Sequence, residues 1–256
     1  MASNSMIQRT TLTDEDYVVS PPKNCDLMVT EVKQMIDSQS QFTNEELVWV
    51  SIVYKQSVSR RRESWNSMKT ALDKEKDTGN IGKVKKAKSL LKDIENEIRF
   101  YCNDILHILQ KKFIPTATSN SMKVLCYRLM GDYNQYLVEL ETDDLRIEMC
   151  NNVLDAYNAG YELALEQLDA GSHEYLALVL NYSVFVYKTL GNHKKAIEMT
   201  IIVRNDVASQ INPKSLSPKA LDVLKIMDTN MLKWGGLHVE AETDPQGTAK
   251  PYHASF

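Results

Sequence analysis

Glycine and proline are scarce, at 9 and 7 of 256 residues. An all-β chain needs a turn about every ten residues and draws on these two types for it, so a sandwich or barrel is excluded on supply alone. Cysteine is scarce too: Cys25, Cys102, Cys126 and Cys150 are far apart and form no C-x-x-C pair. That leaves neither a disulfide framework nor a zinc ribbon, and points to reduced thiols packed among helices. No apolar run approaches the roughly 20 residues that cross a bilayer. The opening stretch MASNSMIQRTTLTDED lacks the apolar core of a secretory leader. One-sided charge is missing as well. A net charge of −4 gives bulk electrostatics no argument for nucleic acid or an anionic membrane. The five histidines do not cluster, and no H-E-x-x-H, G-x-G-x-x-G or P-loop string occurs. His173-Glu174, at a helix start, reads as a capping or solvated pair. No catalytic constellation, metal or cofactor is expected, and the expected compartment is the cytoplasm, with the nucleus also open to it.

What the chain has is helical periodicity almost throughout. A segment from Thr43 opens with a capping box, Thr43 to Glu46, and runs on through YKQSVSRRRESW. Gly79 and Gly82 punctuate the turn into a second long helix, which Pro115 stops. Further helices are predicted over VLCYRLMGDYNQYLVEL, from about Leu145 to Leu168, from His173 to Leu190, after the Asn192 cap, and from Ser217-Pro218 to Gly235-Gly236. Before Thr43 a short helix covers Asp26 to Ser38, and a weaker one spans Leu12 to Val19, cut off by Pro21-Pro22. Short connections favour antiparallel neighbours, hence an all-α array. The segment LALVLNYSVFVYKTLGNHKKAIE also looks like one tetratricopeptide-type hairpin, without a self-similar period elsewhere.

Two places carry residue types suited to a ligand. Lys55 and Arg62, seven apart on one helix, share a face about 10 Å apart along the axis, with small Ser59 between them. They can hold one dianion or stand solvated. Asn181 and Asn230 are amides inside apolar helices, where an unbonded amide costs about 1–3 kcal/mol. Each offers a donor and an acceptor, which suits gripping an extended backbone or cross-linking helices. In the middle helix, Arg128, Asp132, Gln135 and Glu139 recur at helical spacing as a polar stripe beside the apolar one.

Several strings in order, NEELVWVSIVYKQSVSRRRESW, CNDILHILQKKFIP, MGDYNQYL, LALVLNYSVFVY and TNMLKW, resemble the 14-3-3 family from about Asp26 to Trp234. The resemblance implies nine antiparallel helices in a cup-shaped dimer, with a concave groove for extended phosphoserine or phosphothreonine segments of client proteins. It implies phosphate binding by Lys55, Arg62 and Tyr136, with Gln135 at the fourth phosphate-binding position. Asn181 and Asn230 match the residues that hold the peptide backbone. Arg128 and Asp132 match residues beside the groove, Leu180, Val184, Val223 and Ile226 its apolar wall, and Trp234 the aromatic residue near its end. The chain then divides into a divergent arm over 1–23 with a shortened first helix, the helical domain over 24–236, and a disordered tail over 237–256.

Four departures bear on the groove. Gln135 stands where the family has a second phosphate-binding arginine, and a neutral amide in its place should weaken phosphate binding about tenfold to a hundredfold. Lys188 stands where the family has a glutamate, and Asp222 and Lys233 where it usually has leucine. Two readings stay open: a phosphopeptide-binding adaptor with a retuned groove, or a degenerate member that binds weakly or without phosphate and serves as a structural or heterodimerisation partner. The divergent first helix leaves homodimers or heterodimers expected through the following helices. Ser64, in RRRESW, resembles a basophilic kinase site near the dimer interface or a serine packed between helices.

Overall fold

The structure, a computed structural model, describes residues 25–235, residue 78 excepted. Eight long helices make it up: α1 (Cys25–Ser38), α2 (Asn44–Asp77), α3 (Ile81–Ile108), α4 (Asn120–Val138), α5 (Asp143–Gln167), α6 (His173–Lys188), α7 (His193–Gln210) and α8 (Pro218–Lys233). The described residues contain no strand. The all-α expectation holds. Of the nine helices expected, the one over Leu12–Val19 lies outside the described residues, as do the arm and tail. The helices are unequal, from the 14 residues of α1 to the 34 of α2, so the regular tetratricopeptide array is set aside.

The helix ends follow local chemistry. Glu46 accepts from the Thr43 amide at 2.7 Å while Thr43 Oγ1 accepts from the Glu46 amide at 3.1 Å, a closed capping box. Asn192 and Ser217 accept from the amides of Lys195 and Ala220, capping α7 and α8. Gly79 and Gly191 take φ of +70° and +66°, which side-chain-bearing residues avoid. Gly82, in contrast, falls inside the first turn of α3, whose cap is Asn80. Pro115 does not stop its helix cleanly. The chain leaves α3 through a wide π-type turn over Leu109–Phe113 and ends in a short turn, Ile114–Thr116.

Two cores lie side by side. One gathers Val32, Leu47, Tyr54, Ile98, Ile105 and Phe113 from α1–α3 and the turn that follows. The other gathers Tyr157, Leu180, Phe185, Val203 and Met227 from α5–α8. Helix α4 belongs to both: Met122, Cys126, Leu129, Tyr133 and Leu137 face the first, Val124 and Val138 the second. A helix with two apolar faces leaves only a narrow polar strip, and that strip is Arg128, Asp132, Gln135 and Glu139. Burial pushes the Cys102 and Cys126 thiols up to about 12, so both are inert packed hydrophobes at neutral pH.

Gly131 lets α4 and α5 touch. A Cβ there would stand 2.3 Å from Cε1 of Tyr157. That ring is fully buried, stacks on Tyr182 at 5.2 Å, and is tethered through its hydroxyl to Asp132, so it cannot swing aside. Gly131→Ala is expected to cost about 1–3 kcal/mol by overpacking. Urea unfolding measures this, and an unchanged midpoint would contradict the packing argument.

Candidate functional site

The candidate residues fall on alternate helices. Helix α2 carries Lys55 and Arg62, α4 the polar strip with Tyr136, α6 Asn181, and α8 Asn230. Arg62 reaches Glu139 at the end of α4 and Lys55 acts as an opposite charge on Asp132 of α4, both side chains partly buried.

Arg62 is engaged from two directions. Its Nε donates to Glu139 Oε2 at 3.0 Å, and its Nη2 donates to Oε1 and Oε2 at 2.6 and 2.7 Å, a side-on bidentate pair. Its guanidinium also lies over the Tyr136 ring, 4.1 Å from the centroid. Burial alone would lower the Arg62 pKa, but the Glu139 carboxylate and Tyr136 outweigh it and raise it, so the charge is permanent. Tyr136 in turn meets the buried Tyr133 edge-on, with centroids 5.7 Å apart.

A second cluster centres on Asp132, which is only 8% exposed. Asn181 Nδ2 donates to both of its carboxylate oxygens at 3.0 Å, and Tyr157 Oη donates at 2.6 Å. Arg128, at 4% exposure, and Lys55 act on it as opposite charges. Burial pushes the Asp132 carboxyl above its usual range, and those cations and hydrogen bonds pull the other way. Asn181 is therefore the cross-link that a buried amide on an apolar helix can make, tying α6 to α4. The same bonds hold its carboxamide in one orientation.

Leu180, Val184 and Val223 are buried in the second core, against which Ile226 and Trp234 pack. Asn230 is buried on α8. Trp234 stacks on Tyr187 at 4.4 Å, and Tyr187 on His193 at 4.2 Å, which closes the α6–α8 end with three rings. Lys188 is exposed beside Tyr187, seven residues and so about 10 Å along α6 from Asn181. Asp222 is exposed and pairs with Lys225 on its own helix at 2.8 Å, and Lys233 is exposed in the last turn. Gln135 is half-buried one residue before Tyr136. Arg61 points elsewhere, to Asp26, Glu97 and Tyr101, where it ties α1 to α3. Ser64 is exposed rather than packed between helices, with Oγ donating to the Arg60 carbonyl at 3.0 Å.

Glu139, Tyr157 and Tyr187 had no role assigned from the sequence. Glu139 did belong to the polar strip, three residues after Tyr136, and that spacing is the signal that could have singled it out. Among the described residues no group of three or more His, Cys, Asp or Glu could hold a metal ion, and no helix is long and apolar enough to cross a membrane.

Comparison with known proteins bears on the family. The family model described as 14-3-3 protein matches residues 18–235. The 14-3-3 protein epsilon of Drosophila melanogaster is 31% identical over 230 residues, covering 88% of this chain and 87% of that protein. The 14-3-3-like protein GF14 iota of Arabidopsis thaliana is 30% identical, covering 90% of each chain. The checkpoint signal transducer rad25 of Schizosaccharomyces pombe is 30% identical over 81% of this chain and 77% of its own length. A family match across most of the chain, on a fold of this kind, identifies the protein as a member of the 14-3-3 family.

Proposed function

We propose that the chain is a phosphoserine/phosphothreonine-peptide adaptor, retuned at Gln135, Lys188, Asp222 and Lys233. The family is one of adaptors, not enzymes. The observation that carries the reading is the meeting of Arg62 with Tyr136 across α2 and α4, beside the Asp132 cluster that includes Lys55 and Asn181. A phosphate takes charge-assisted bonds from Lys55 and Arg62 and a hydroxyl bond from Tyr136, with a neutral bond from Gln135. Asn181, held by Asp132, and Asn230 then bind the peptide backbone. Binding alone, by clamping or scaffolding the client, is the mechanism. Dimers through α1–α3 belong to the same proposal and would raise avidity for doubly phosphorylated clients. Leu27, Ile81 and Phe100, exposed on those helices, support it.

The test is titration with one peptide in phosphoserine and serine forms. The phosphorylated form is expected to bind about tenfold tighter, the size of one charged hydrogen bond, and Gln135→Arg to widen that preference further. Equal affinity for the two forms refutes the reading. It would favour a phosphate-independent, structural member instead, the alternative that the neutral Gln135 supports.

A further inference from the structure

We propose that Glu139 is a specificity-determining residue of this site, a carboxylate of the protein's own that competes with the ligand's phosphate for Arg62. This rests on the phosphate-binding reading of the site and deepens it.

The argument begins with the guanidinium's edges. Arg62 presents five N–H donors in a fixed plane, and a phosphate is best held by two parallel bonds from one edge. Glu139 already takes the edge made by Nε and Nη2, in three contacts of 2.6–3.0 Å. The Tyr136 ring covers one face of the plane. An incoming phosphate must displace Glu139 or settle for the Nη1 side, and in either case it meets a negative charge within the same cluster.

Gln135 sharpens the competition. It precedes Glu139 by one turn of α4, and the Glu139 amide donates to the Gln135 carbonyl at 3.3 Å. A cation at position 135 would stand a turn away from the Glu139 carboxylate and share it with Arg62. A neutral amide cannot, so the carboxylate's attraction goes undivided to Arg62. The pair is only partly exposed, at 26% for Arg62 and 33% for Glu139, so solvent screening does not erase it. The expected consequence is a site that holds unphosphorylated peptide as the family architecture allows and rewards phosphate less than its cations alone would predict.

The experiment titrates wild type, Glu139→Gln and Glu139→Ser with one peptide in serine and phosphoserine forms, and follows thermal unfolding in parallel. Both variants are expected to bind phosphoserine peptide about tenfold tighter than wild type, the reward of removing one opposed charge, with the serine form unchanged. Glu139→Ser removes the carboxylate without leaving an amide beside Arg62, so agreement between the two variants excludes a new contact as the cause. If wild type prefers the phosphorylated peptide and both folded variants show no gain or a loss, Glu139 only orients Arg62 and the inference falls alone. If wild type binds the two forms equally, the phosphate-binding reading falls and takes the inference with it.

Discussion

Replacing Asp132 by Ala is expected to lower stability by about 3–5 kcal/mol, the cost of breaking a buried charge cluster by removing one member. Asp132 is the acceptor for Tyr157 and Asn181 and the opposite charge to Arg128 and Lys55. Without it, a cation at 4% exposure loses the carboxylate that faces it, a tyrosine hydroxyl loses its acceptor inside the second core, and α6 loses its polar tie to α4. Asp132→Asn keeps an acceptor for Tyr157 and Asn181 and gives up only the charge. The buried Arg128 still loses its opposite charge, so the amide variant should fall between wild type and Asp132→Ala, recovering only the part owed to the hydrogen bonds. Chemical denaturation of both variants measures the difference. Equal, small losses would mean that Asp132 does not hold the two halves of the fold together.

The second large effect is expected at Arg62. Arg62→Gln should lower affinity for a phosphoserine peptide about tenfold to a hundredfold while leaving the serine peptide nearly unaffected. Two losses act together. The charge-assisted fork disappears, and the Glu139 carboxylate, released from its bidentate pair, adds repulsion toward the dianion. The fold should tolerate the change within about 1 kcal/mol, because the pair lies partly in solvent. Arg62→Lys keeps the charge but not the fork, so it should fall between the two. Titration with the paired peptides distinguishes this from unfolding, since a collapsed groove would lose both forms equally. Arg62→Gln lowers affinity for the phosphoserine peptide while Glu139→Gln raises it. The opposite signs on one ion pair test whether the pair is a resident competitor or a structural brace.

Much of this was legible in the sequence, and the legible part has a common physical scale. Capping boxes, glycine breaks and apolar stripes act over three or four residues, so Thr43 and Glu46, Gly191, and the Ser217-Pro218 start could be read from neighbours alone. The strip on α4 was legible as a pattern, because its members recur at helical spacing. Its confinement between two apolar faces was not, since that depends on α4 belonging to both cores.

The sequence by itself determined the all-α class, the helix order and, through family resemblance, the residues proposed to bear on phosphate and peptide. Tertiary structure alone decided what those residues are bonded to. Arg62 and Glu139 are 77 residues apart, and Asp132 and Asn181 are 49 apart. A carboxylate's choice among several cations is made by distance and burial after folding, not by spacing along the chain. For that reason Gln135 was visible from the sequence as a missing arginine, while the carboxylate one turn beyond it took its meaning only from the helix packed against it.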